Sequence, residues 1–152
     1  MTDSLIQKLR DATGGSAELD LEIWALAGGW KLVTQPDSIE MRAEKYDGDV
    51  VSEWETVAFW DSGGHVRVYH AFEEDLPRYS RSLDAIIGLI EEKLPTAGFM
   101  IETVKRSDDT RMGWSVSLSA NYRTPHLEEV HKEPAIALCL ALLSALEVES
   151  DG

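Results

Sequence analysis

The hydrophobic and polar positions of the chain fall into segments of two periods. From Ala135 to Leu146 almost every position is apolar. Leu138, Leu142 and Leu146 recur at four-residue spacing, and Leu140 and Leu143 widen the apolar surface beyond one stripe. Ala and Leu lose little entropy on entering a helix, Pro134 suits the first helical position, and Glu133 suits the positive end of the helix dipole. The segment predicts a helix covered on most sides. Two arrangements satisfy it: a core helix packed on a sheet, or a helix whose second face meets another subunit. It is too short to span a membrane, which takes roughly 18 or more apolar residues.

Three further stretches carry helical spacing. Ser4 to Ala12 places Leu5, Ile6 and Leu9 on one side, and Thr13-Gly14-Gly15 stops it. Ser16 is placed to cap the next helix, which has Leu19, Ile23, Leu26 and Ala27 at helical spacing and ends at Gly28-Gly29. A third helix follows Tyr79, with Ser80 or Ser82 as its cap and Leu83, Ile86, Ile87 and Ile90 as its face.

The period-two segments pair as hairpins. Trp54–Trp60 and His65–Ala71 flank the turn Asp61-Ser62-Gly63-Gly64. Val66, Val68 and His70 fall on one face, with Arg67 and Tyr69 on the other. Phe99–Lys105 and Met112–Ala120 flank a turn at Arg106–Arg111; the second strand turns Met112, Trp114, Val116 and Leu118 inward, against Gly113, Ser115, Ser117 and Ser119. Asn121–Lys132 reads as a polar connection. Residues 31–53 carry the weakest pattern: a loop at Gln35–Ser38, an edge strand at Met41–Tyr46 and a turn at Asp47-Gly48.

In order, these are helix, helix, strands, helix, strands, helix. That order predicts an α+β sandwich with a largely antiparallel sheet of about four to five strands and about four helices shared between its faces. The 152 residues suit a single domain, 1–152, with 31–53 as a loop or edge-strand insertion.

Charge narrows the classes of partner. The formal net charge is −14, from 28 acidic against 14 basic residues, which repels nucleic-acid phosphate, so direct nucleic-acid binding is not expected. The acids are dispersed, as solubility alone would require. One cysteine, Cys139, excludes a disulfide framework and sits in the apolar helix as a small hydrophobe. Met1-Thr2-Asp3-Ser4 lacks the basic start and apolar block of a signal peptide.

Three blocks of the chain resemble a known family. They are Leu5-Ile6-x-x-Leu9-x-x-Ala12-Thr13-Gly14 with Glu18-Leu19-Asp20-x-x-Ile23, then Tyr79-Ser80-x-Ser82-Leu83-Asp84-Ala85, then Pro134-Ala135-x-Ala137-Leu138-Cys139-x-Ala141-Leu142. In this order they resemble the opening, central helix and closing helix of the phage ABA-sandwich domain, a family of small phage and prophage proteins. The resemblance implies an α/β/α sandwich and a place in the cytoplasm of a bacterial host. It implies no catalytic residues. Residues 31–60 are longer and more charged than the family's middle.

Catalytic and metal signatures are not legible. His126 and His131 are five apart rather than four, no His-Glu-x-x-His or cysteine cluster occurs, and Ser62-Gly63-Gly64 is a hairpin turn rather than a nucleophile elbow. Neither Gly-Gly pair forms a phosphate-binding loop. No catalytic residue, metal site or cofactor is therefore assigned. The segment ending at Arg81 is richer. Trp60, His65, Arg67, Tyr69, His70, Arg78, Tyr79 and Arg81 place cations beside aromatic rings, a combination that holds planar anions such as nucleotides through bidentate contacts and stacking. The alternative is that these arginines pair with Glu73, Glu74 and Asp75.

Three functions follow as expectations. The first is a non-enzymatic phage or prophage accessory protein that binds a host or phage protein or associates with itself as a homodimer. The second is a protein that binds or sequesters an anionic, nucleotide-like small molecule. The third is an acidic decoy for a DNA-binding host protein.

Overall fold

A computed structural model describes the backbone of residues 2–105, 111–119 and 127–151, and side chains within 4–104, 113–119 and 129–146. The described residues form five helices and seven strands, an α+β fold in which every strand pairing is antiparallel. They fall into two compact units. One comprises Met1–Gly15 with Arg78–Gly152, and the other, Ser16–Pro77, is inserted into it in chain order. The seven strands accordingly divide into two sheets rather than one.

The first unit is organised on the apolar segment of the C-terminal region. Helix α1 (Thr2–Asp11) opens the unit, and α4 (Leu83–Lys93) follows the return of the chain. Strands β5 (Gly98–Lys105), β6 (Arg111–Ser119) and β7 (Leu127–His131) form a sheet in that order, and α5 (Pro134–Asp151) closes it. Helix α5 packs on β6, β7, α1 and α4. All residues from Ala135 to Leu143 are buried, as an all-round apolar helix requires. No free face is left along that stretch for a second subunit. Leu5, Ile6 and Leu9 of α1 are buried as their spacing predicts. In α4 the Ser82 hydroxyl accepts from Ala85 N–H at 3.3 Å, and the buried residues are Ile86, Leu89 and Ile90; Leu83, expected on that face, is exposed.

Strand β7 corrects the expectation of a polar connection over Asn121–Lys132. Its residues Glu129 and His131 stand opposite Val116 and Trp114 of β6. The charged Glu129 and the polar His131 at inward positions hid the strand. The turn expected at Arg106–Arg111 and the segment 120–126, which includes His126, lie mostly outside the described residues, as does the inward placement expected for Met112.

The second unit begins with α2 (Ala17–Gly28). Ser16 caps it, accepting from Leu19 N–H at 3.2 Å, and Gly29 ends it with φ 75°, a left-handed conformation that glycine adopts without steric cost. Strands β1 (Lys31–Thr34), β2 (Glu40–Asp47), β3 (Val50–Trp60) and β4 (Val66–Val68) form a meander in chain order, followed by the single turn α3 (His70–Glu73). Residues 31–53 are thus strands joined by a loop at 35–39 and a turn at 48–49, and Met41–Tyr46 lies in an inner strand, not at an edge. Two register shifts in the β2–β3 pairing, at Met41/Arg42 and Lys45/Tyr46, break the alternation that would have revealed it. The core joins Leu21, Ala43, Val57, Ala58 and Leu76, with Trp24, Trp30 and Phe72 packed against it. Trp24 stacks on Trp30 at 5.3 Å and meets Phe72 edge-on at 5.0 Å.

The strand expected over His65–Ala71 is shorter. Tyr69 N–H still donates to the Val57 carbonyl at 3.0 Å, but Phe72 and Glu73 N–H turn back onto the Tyr69 carbonyl and close a helical turn. His70 therefore begins α3 and does not extend the β4 face. Among the described residues, no helix is long and apolar enough to cross a membrane.

Candidate functional site

The residues expected to form one ligand site are distributed over both units. Trp60, His65, Arg67, Tyr69 and His70 belong to the inserted unit, and Arg78, Tyr79 and Arg81 to the other. Within the inserted unit the strand pleat sets Trp60 and Arg67 on opposite faces. Trp60 stands opposite Val66, and its indole N–H donates to Thr34 Oγ1 at 3.1 Å. Arg67 stands opposite Phe59 on the other face, where Tyr69 packs on the Phe59 ring at 5.1 Å. His70 lies within 3.1 Å of Glu74.

His65 and Arg67 are brought together by Asp61. One Asp61 oxygen accepts the backbone N–H groups of Gly63 and His65, each at 2.9 Å, and the other accepts Arg67 Nε–H at 2.9 Å. The His65 N–H and the Arg67 guanidinium together hold the Asp61 carboxyl at a pKa of about 2, below its ordinary 3.8. This is the chemistry of a locked turn. His65 and Arg67 also line an open cavity of about 380 Å3 with Ser16, Ala17 and Glu18 at the start of α2. Glu18 and Glu73 stand in the same wall and offset the two bases.

In the other unit, Arg81 lines a second open cavity, of about 650 Å3, where the N-termini of α4 and α5 converge. Asp84 and Glu133 share its wall. The Tyr79 carbonyl accepts the Cys139 thiol at 3.3 Å, which places that cysteine as a buried structural group. Among the described residues, no group of three or more His, Cys, Asp or Glu is placed to hold a metal ion.

The more pronounced surface lies where sequence reasoning did not look. Strand β1 pairs with β2 only at Met41–Glu44, and β4 pairs with β3 only at Ala58–Trp60. The rest of the β2–β3 hairpin is a two-stranded arm, turned at Gly48 with φ 67°. It carries Trp54 at 58% exposure, Tyr46 at 45%, Val50 at 69% and Val51 at 36%. Such clustered exposed apolar groups mark interaction surfaces more often than chance.

The two rings are held by a polar network on one face of the arm. Arg42 donates to Glu44 Oε2 at 2.8 Å, and Tyr46 O–H donates to Glu44 Oε1 at 2.9 Å. The Arg42 guanidinium lies 4.7 Å from the Trp54 ring centroid, and Lys31 Nζ 5.8 Å from that of Tyr46. The bond to Glu44, with that carboxylate's charge, raises the Tyr46 phenol above its ordinary 10.0. Glu44 is buried although charged, which requires partners of this kind. Arg, Tyr and Trp are the residues on which binding energy concentrates, and here all three are fixed before any partner arrives. The signal available in the sequence was Ser52-Glu53-Trp54-Glu55, a tryptophan between acids on a strand.

Comparison with known protein families, with curated proteins and with solved structures finds no match to the chain.

Proposed function

We propose that this chain is a non-enzymatic phage or prophage accessory protein that acts in the cytoplasm of a bacterial host by binding another protein through the β2–β3 arm. The observation that carries the binding function is the exposed Trp54 and Tyr46 pair, held by Arg42 and Glu44 on an arm that extends past its neighbouring strands. The phage origin rests on the three sequence blocks that resemble the ABA-sandwich family. The apolar final helix, for which the sequence allowed either a core position or a second face against another subunit, lends self-association no support, because Ala135–Leu143 are already buried within one chain.

A photoreactive phenylalanine analogue placed at Trp54, which keeps an aromatic ring there, tests the reading in a bacterial host. The expected result is one discrete heterologous adduct from position 54. The exposed Gln7 of α1 should give none when labelled in the same way. Equal labelling from both positions, or none from position 54, would reject the arm as the binding surface.

A further inference from the structure

Among the described residues, one long side of the β2–β3 arm has no strand beside it. Because β4 stops at Ala58, the stretch Val50–Thr56 of β3 pairs with β2 alone. Its outward backbone N–H and C=O groups form a template on which a further strand can add. Side chains alternate along this edge. Glu53 and Glu55 stand opposite Lys45 and Ala43 on one face, and Trp54 stands opposite Glu44 on the other. All three are exposed. Among the described residues, no ion pair engages Glu53 or Glu55.

We propose that this edge takes an extended segment of a partner protein as an added strand, and that the segment carries Lys or Arg at two alternate positions with an apolar residue between them. The proposal rests on the reading of the arm as a protein-binding surface and names the partner's chemistry. Two carboxylates on one face select two cations directly across from them, since opposite charges at facing positions attract and like charges repel. The intervening apolar residue lies beside the Trp54 ring on the other face. A second copy of the chain fits badly. Antiparallel pairing of β3 with itself, centred on Glu53, Trp54 or Glu55, sets glutamate against glutamate, and each copy brings a net charge of −14.

The probe is the capped peptide Thr-Val-Lys-Val-Lys-Val-Thr, compared with the same peptide carrying Glu in place of both Lys. The expected result is binding of the lysine peptide with slowed amide exchange across Val50–Thr56, and at least tenfold weaker binding of the glutamate peptide. A Glu53→Lys, Glu55→Lys double variant should exchange the preference, with a slightly lower thermal midpoint because position 53 faces Lys45. N-methylation of alternate residues of the lysine peptide should abolish binding, since it removes the pairing N–H groups. Three results overturn the proposal: no binding of either peptide, binding without protection of Val50–Thr56, or that same protection arising from concentration-dependent dimerisation of the chain alone. If the peptides fail while position 54 still forms its photo-adduct in cells, strand addition falls and the protein-binding reading stands. If both fail, the reading beneath falls with it.

Discussion

His131 donates from its Nε2 to the Ala12 carbonyl across 2.9 Å. The direction follows from its other nitrogen, which accepts the Glu133 backbone N–H at 2.9 Å and so carries no proton. One neutral imidazole thereby satisfies a carbonyl just past the end of α1 and an amide at the start of α5, two places where a helix leaves its backbone unpaired. The expected outcome of His131→Ala is a loss of about 1–3 kcal/mol, because two part-buried hydrogen bonds of about 0.5–1.5 kcal/mol each are lost. His131→Asn should lose less, since its side-chain oxygen can still accept from Glu133 N–H while nothing reaches Ala12. Urea denaturation of the three proteins checks the order.

Gly15 supplies a second stability test. A Cβ built there would stand 2.2 Å from the Ser80 carbonyl oxygen and 2.6 Å from its carbon, both backbone atoms that cannot swing aside. Gly15→Ala should cost about 1–3 kcal/mol through overpacking. The adjacent Gly14 has nothing within 4 Å of its Cβ, so Gly14→Ala should be neutral or stabilising by about 0.4–1 kcal/mol through the unfolded chain. Thermal unfolding of the pair separates a steric role from a mere helix stop. Equal melting temperatures would refute the close approach.

The sequence made the helices legible because their signals are local. Apolar spacing marked α1 and α4, all-round apolarity marked the burial of α5, and Ser16 and Ser82 stand as caps where their positions suggested. What stayed hidden depends on contacts between distant residues. Glu129 is tolerated on the inner face of β7 because Arg10 pairs with it at 3.4 Å across 119 residues and Ser144 donates to it at 3.4 Å. No window around Leu127–His131 contains those partners, so the strand read as a polar link. The charged Arg42 and Glu44 made the strand over Met41–Tyr46 read as an edge strand, whereas β2 lies between β1 and β3. Of the residues grouped between Trp60 and Arg81, the pleat of β3 and β4 sets Trp60 and Arg67 on opposite faces of one sheet, a detail that nearness in sequence does not show.

Acid should loosen the Asp61 turn at an unusually low pH. The folded carboxyl, at about 2, lies below its ordinary 3.8. A depressed folded pKa means that the contribution is fully present above the unfolded value and is lost as pH falls from about 4 through about 2. Carbon-detected NMR titration of the Asp61 carboxyl is expected to show its midpoint near 2. Arg67→Ala should raise that midpoint only part of the way, since the His65 N–H bond is the larger cause and remains. A parent midpoint at the ordinary value would refute the turn as described.

The Arg42–Glu44 pair allows stability and binding to be separated. Glu44 is buried, and Arg42 supplies its charge-assisted bond at 2.8 Å. Arg42→Ala should cost about 1.5–3 kcal/mol, the range for hydrogen bonds to charged groups, because the carboxylate keeps only Tyr46. Replacing both residues together, Arg42→Met with Glu44→Leu, should recover most of that loss, since apolar side chains of similar volume need no partners. The same double variant removes the guanidinium from the Trp54 ring and the acceptor from the Tyr46 hydroxyl. Both rings become free to reorient, and ordering them on binding then costs rotamer entropy, about 0.5–1.5 kcal/mol per side chain. Partner capture read from a photoreactive residue at the exposed Val51 of the arm, with Trp54 kept, should therefore weaken roughly tenfold in a protein as stable as the parent. Trp54→Ala should abolish capture with almost no change in stability, because most of that ring faces solvent. If the double variant captured its partner as well as the parent does, the network would be structural support alone.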